Sequence, residues 1–312
     1  MMNKKLLIAG GAIVLLVCVA VSSFFLISHN HKIKPIVFSE EISMQHCLPE
    51  TIENQIPKET IDAVFGKEMN LYKIVSRRIN GYDEDLLEKF QMENYSVSDD
   101  PEDYVTTYKT ADKRLHIYND GSFTFSLTRI SVDEPLTTSF DELKVTAKEY
   151  LESKDLLPEN FYQQGYTKSE VSSNGETIVP RMGSSFVRKI DGYEVYGNSF
   201  IDTDYDNQGL LSIYSIYSDY MFDTTVQTIG FEDAYSLMYS ESSYVQNSYK
   251  EQLSEKIDKI ILNNAQLAYY DVGREGTHIL PCYILEGIAY AGEETTEFQS
   301  WVMAIPRSMT TG

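Results

Sequence analysis

Asp202, Asp204 and Asp206 stand at alternate positions in the stretch FIDTDYDNQGLLSIYSIY, residues 200–217, as the first three ligands of a calcium loop would. A loop of that kind also needs a glycine at its sixth position for the sharp bend and a bidentate Glu at its twelfth. Counted from Asp202, those positions hold Asn207 and Ile213, so both requirements fail. The flanks FI and LLSIYSIY carry the alternation and β-branched content of strands, and Asp206-Asn207-Gln208-Gly209 supplies what a hairpin turn needs. The stretch therefore reads as a chain reversal with Asp202 and Asp204 on one solvent-facing strand face. Weak calcium binding by Asp202, Asp204 and Asp206 stays open.

Other chemical signatures are missing from the sequence. It holds no H-E-x-x-H, G-x-S-x-G, S-x-x-K, phosphate-binding glycine loop or C-x-x-C. The histidines are His29, His31, His46, His116 and His278; the last two, in a strand and a loop, have no Cys or carboxylate at metal-ligand spacing and read as packed or exposed neutral rings. No catalytic residue, no cofactor-binding residue and no metal site is assigned. A fold can still assemble two carboxylates about 5–9 Å apart, so an envelope hydrolase using such a pair stays open. Tyrosines cluster at Tyr205, Tyr214, Tyr217 and Tyr220, at Tyr235, Tyr239 and Tyr244, and at Tyr269 and Tyr270; most read as core and cross-strand packing, with an exposed subset suited to docking.

The elements that must position these residues begin with an apolar run, LLIAGGAIVLLVCVAVSSFFLI, residues 6–27, which carries no charge over 22 residues. As a helix it reaches about 33 Å, enough to cross a bilayer. A cleaved signal has a shorter apolar core and a small-residue cleavage site, whereas Phe24 to Ile27 prolong this run beyond Ser22 and Ser23. It reads as an uncleaved anchor, with Lys4 and Lys5 favouring a cytoplasmic N-terminus and the rest of the chain outside the cell. Cys18 lies within the run. Cys47 and Cys282 either form one disulfide or remain thiols.

The formal charge is −21, which makes nucleic acid and anionic lipid surfaces poor partners. Residues 28–58, with Pro35, Pro49 and Pro57, read as a stalk. Helical spacing is mixed with ambiguous stretches over 58–93, and strands are expected at 104–109 and 115–118, closed by an Asn119-Asp120-Gly121 hairpin. A helix is expected in SFDELKVTAKEYLESKDLL, where Ser139 and Glu142 form a capping box and Phe140, Leu143, Ala147, Tyr150 and Leu151 share a face. Strands over 184–190, 193–203 and 210–217 follow, then helices in GFEDAYSLMYSES and in SYKEQLSEKIDKIILNN, then strands over 265–272, 279–291 and 298–305. Hairpin followed by helix occurs twice, with Phe140 and Phe231 at equivalent places.

The expected fold class is α+β: a single N-terminal transmembrane helix, then two helix-on-antiparallel-sheet units, because an amphipathic helix and a one-sided sheet bury each other's apolar faces. The segments are 1–5 cytoplasmic tip, 6–27 span, 28–58 stalk, 59–134 N-terminal α/β segment, 135–222 first unit and 223–312 second unit.

The single N-terminal span, the meander SSFVRKIDGYEVYGNSFIDTDYDNQGLLSIYSIYSDY, the helix GFEDAYSLMYS and the closing strands from QLAYYDVG to FQSWVMAIPR with Trp301 together resemble the extracytoplasmic parts of YycH/YycI-type membrane-anchored regulators, and more broadly PepSY-type domains. The likeness covers roughly residues 135–306 and rests on pattern, not on a diagnostic motif. It implies a non-enzymatic protein at the outer face of a Gram-positive cell membrane that associates with a sensor kinase or a cell-envelope assembly. PepSY-type domains also occur in protease propeptides and inhibitors, which implies an alternative as inhibitor or chaperone of a secreted peptidase. The family pattern offers no catalytic residue to carry over.

Overall fold

Alternating apolar and polar residues dominate this chain, and the computed structural model turns nearly all of that alternation into strands. It describes residues 48–129, 134–173, 176–239, 245–250, 253, 256–273, 276–306 and 309. Along them run β1 (Thr51–Asn54), α1 (Lys58–Val64), β2 (Glu68–Val75), α2 (Tyr82–Lys89), β3 (Ser96–Asp100), β4 (Val105–Lys109), β5 (Lys113–Tyr118), β6 (Phe123–Leu127) and α3 (Phe140–Ser153). There follow β7 (Phe161–Ser173), β8 (Glu176–Ile190), β9 (Tyr193–Asp206), β10 (Gly209–Ile216), β11 (Asp219–Gln227), α4 (Phe231–Met238), β12 (Val245–Tyr249), β13 (Lys259–Asp271), β14 (His278–Ala291) and β15 (Glu294–Met303).

The expected pair of helix-on-sheet units is corrected by this topology. The 15 strands form one mixed sheet whose main path runs β11-β2-β14-β13-β9-β10-β6-β5-β4-β3, with β1, β7, β8, β12 and β15 attached beside it. The two hairpins that look like repeat copies, β5–β6 and β9–β10, pair directly, Ile213 lying opposite Phe125. β11 runs unbroken across residue 222, where the second unit was expected to begin. β13 completes the joining with parallel pairs to β9 and to β1, so residues 51–54 of the expected stalk belong to the sheet. The described ends of the segment SYKEQLSEKIDKIILNN are strand where a helix was expected: Val245–Tyr249 is β12, and Lys259 opens β13, where Ile260 and Leu262 are buried in alternation. Buried between neighbouring strands, β-branched residues favour the extended form. Residues 1–47, including the span 6–27, lie outside the described residues, and among those described no helix is long and apolar enough to cross a membrane.

One face of the sheet carries a core covered by α2 and α3. Leu86 and Leu87 of α2 and Leu143, Ala147 and Leu151 of α3 pack on Leu115, Ile117, Phe123, Phe125, Phe186, Ile201, Tyr205 and Ile213. Phe90, at the end of α2, stacks on Phe125 with ring centroids 4.1 Å apart. α3 starts as its sequence dictates: Ser139 and Glu142 satisfy each other's backbone N–H groups in a capping box. On the opposite face the sheet is polar along β4 to β10, and this face holds the site described next.

Candidate functional site

β9 is interrupted where it matters. Val187 of β8 lies opposite Phe200, yet the next residue, Arg188, lies opposite Val195, so Tyr196, Gly197, Asn198 and Ser199 have no partners on β8. Such an insertion bends a strand and re-aims its side chains. Gly197 makes the detour possible: its φ is +82°, and a Cβ there would lie 2.2 Å from the carbonyl oxygen of Asp271 on β13. The result is an open groove of about 260 Å³ lined by Gln164, Ser185, Val187, Glu194, Val195, Tyr196, Gly197, Ser199, Phe200 and Asp202.

The proton affinities of its two carboxylates are shifted in opposite directions. Burial raises the affinity of Glu194 for a proton, but the hydroxyl of Tyr162 on Oε1, that of Tyr196 on Oε2 at 2.6 Å and the Lys189 ammonium outweigh it, and the carboxyl sits below its usual range. Asp202 is pushed up by burial and by its neighbour Asp204, against a hydrogen bond from Ser185. Its Oδ1 is shut from solvent with no partner. The groove thus offers one fixed anion, Glu194, among lining residues that include the rings of Phe200 and Tyr196.

Beneath the groove, Ser199 Oγ lies 3.1 Å from the hydroxyl of Tyr220, which donates to the wholly buried Asp271. The amide of Gly273 donates to the same carboxylate at 2.7 Å, and burial pushes Asp271 up to about 6. Arg188 lies 4.2 Å over the Tyr220 ring and donates to the Ser218 carbonyl at 2.8 Å. The opposite wall is packed by aromatic rings: Tyr196 meets Trp301 edge-on at 4.9 Å, and Tyr270 meets it at 5.8 Å.

The three aspartates of the acidic turn go separate ways. Asp202 lines the groove; Asp204 accepts from Thr167 and Ser212, each at 3.2 Å; Asp206 is buried and takes both terminal nitrogens of Arg129. Asn207 and Gln208 form the two-residue turn as expected, but β9 lies between β8 and β10, so these aspartates are half-buried or buried and face no open edge. Among the described residues no three His, Cys, Asp or Glu side chains are grouped to hold a metal. Cys282 is buried in β14, and its possible partner Cys47 lies outside the described residues.

His116 lies in a strand as expected, whereas His278 opens a strand instead of lying in a loop and has a carboxylate beside it. His278 opens β14, and its Nε2 lies 3.2 Å from Asp223 of β11, a carboxylate 55 residues away that Lys73 also holds at 2.7 Å. His116 shares a hydrogen bond with Thr107, and burial together with Arg114 lowers its proton affinity. Of the tyrosines, Tyr205, Tyr217 and Tyr269 are core, whereas Tyr214 and Tyr239 are exposed. Sequence reading missed Glu194 and Tyr196; the signal was available in Tyr196-Gly197-Asn198-Ser199, a glycine and two small polar residues interrupting an alternating strand.

No family model matches the chain, and no curated protein matches it. Among solved structures it is similar to an uncharacterized protein from Eubacterium rectale ATCC 33656, at 11% identity and TM-score 0.45, over 76% of this chain and 84% of that one. It is also similar to YycH from Bacillus subtilis, at 14% identity and TM-score 0.38, over 74% of this chain. The chain spans about half of YycH, 52% of that chain. At these scores neither likeness transfers a site or an activity.

Proposed function

We propose that the chain is a non-enzymatic, membrane-anchored extracytoplasmic module that receives a protein partner in the β9 groove and so modulates a sensor kinase or a cell-envelope assembly. The anchor is the charge-free run over residues 6–27, and its family likeness lies in the meander and closing strands quoted above. The observation that carries the reading is the groove itself. It is lined by hydrogen-bonding and aromatic side chains, the make-up of a surface that receives another protein.

A hydrolase is the second reading, favoured by the opposed proton affinities of Glu194 and Asp202 in one groove. Both oxygens of Glu194, however, already accept tyrosine hydroxyls, which suits a fixed anion better than a base. The two readings separate by experiment. A photo-crosslinker at Phe200 in the membrane-embedded full chain is expected to capture one identified membrane protein, and the same group at Lys144 on the far side of the helix layer is not. Recovery of the chain uncrosslinked at both sites sinks the docking reading. Hydrolysis of envelope polysaccharide that disappears in Glu194→Gln establishes the other.

A further inference from the structure

The end of the sheet farthest from β11 is β3, whose only strand partner among the described residues is β4. All five of its residues are exposed. Alternate residues of such an edge present N–H and C=O groups away from the sheet, a template for one more strand. The other end, β11, is less suited: its pairing slips at Phe222–Thr224, a bulge that turns an edge away from partners.

The side chains of β3 state what that strand must be. Val97 lies opposite Tyr108 and Asp99 opposite Thr106, in cross-strand rows that continue through Leu115 and Ile117 into the core beneath α2. The apolar layer therefore runs past its covering helix and stops at Val97, 52% exposed, with Tyr95 and Tyr104 exposed at its two ends. Tyr95 already packs edge-on against Tyr108 at 5.3 Å. Beyond Val97 the edge becomes acidic, with Asp99, Asp100 and Glu102 exposed in sequence. Asp100 accepts the amides of Glu102 and Asp103, which fixes the turn and leaves its charge outside; Arg78, which feels the charge of Asp99, is itself held by Asp83 at 2.6 Å.

We infer that β3 is a docking edge for an extended, basic segment of a partner protein, which adds as a strand with an apolar residue beside Val97 and Lys or Arg beside Asp99 and Asp100. Charge decides the occupant. A second copy would set these aspartates against their own kind, in a chain of net charge −21, so self-pairing is repelled while a cationic strand is drawn in. The surface is separate from the β9 groove and does not depend on the reading given for it.

The test uses the full chain in detergent and a fluorescent peptide of about eight residues, with valine in the half that lies beside Val97 and lysine in the half that lies beside Asp99 and Asp100. It is expected to bind more tightly than a Val–Glu counterpart and to lose about tenfold or more in affinity when alternate amides are N-methylated. Asp99→Lys with Asp100→Lys is expected to reverse the preference toward the Val–Glu peptide with an unchanged melting temperature, and Val97→Ser to weaken both. Equal binding of both peptides, indifference to N-methylation, or undiminished Val–Lys binding by the reversed variant overturns the proposal. So does a concentration-dependent dimer that the reversal abolishes. Were the reversed variant to misfold, Val97→Ser and the N-methylated peptide still decide.

Discussion

Asp271 is a carboxylate removed from water. Its carboxyl is fully buried, and burial, opposed by Tyr220, Gly273 and Arg188, raises it from 3.8 to about 6. A raised carboxyl holds more protons folded than unfolded between those two values, so the unfolding free energy falls as pH rises through that window. The penalty is absent below the unfolded value and complete above the folded one, at most ~3 kcal/mol. Urea titrations of Asp271→Asn are expected to show that slope flattened between the two values, because an amide does not titrate there, at a stability lowered by the one donor of Tyr220 and Gly273 that faces the amide nitrogen, since the two bind different carboxylate oxygens; an unchanged slope assigns the dependence elsewhere. None of this was legible beforehand. Asp271 is one of 47 acidic residues, and only the meeting of β9, β11 and β13 distinguishes it. The same holds for Glu194 and Asp202. Composition marks carboxylates as abundant, and the fold decides which ones lose water.

At the scale of elements, the bulge in β9 is the part that makes the groove, and Gly197 is its hinge. Gly197→Ala forces a side chain into left-handed backbone and against the Asp271 carbonyl, a cost of at least ~2 kcal/mol. Because Tyr196 next door packs on Trp301, the sole tryptophan, the substitution is also expected to shift tryptophan emission. A variant that melts with the parent and emits as it does would show that the bulge tolerates a Cβ. Elements governed by local rules were readable: the α3 capping box, the Asp191-Gly192 turn with both residues at positive φ, and the Asn207-Gln208 reversal. Residues 248–264 were not. EKIDKIIL has helical spacing as well as β-branched content, and pairing with β14 and β1, distant in sequence, settles the choice. The groove was half-visible, since Gly197 within a strand pattern signals irregularity but not what gathers around it.

For the whole molecule, the expectation of two helix-bearing units failed on a non-local fact. Similar hairpins followed by helices look like repeats along the chain, whereas β6 and β10 join them side by side in space. The helices of the described residues cannot divide a sheet whose strands cross-link early and late segments. A chain ended before Lys259 loses β13, β14 and β15 together and exposes the faces they cover; it is expected to show no cooperative urea transition, and a sharp transition in that fragment would mean that the N-terminal strands form an independent domain.

The parallel pairing of β1 with β13 has a consequence for how the protein is made. Thr51 lies beside Lys259, roughly two hundred residues later. At a synthesis rate of about 5–20 residues per second, β1 waits on the order of ten to forty seconds for this neighbour to exist. Throughout that interval its hydrogen-bonding groups stay open to any competing strand, so the nascent chain is exposed to mispairing long before the finished fold can close.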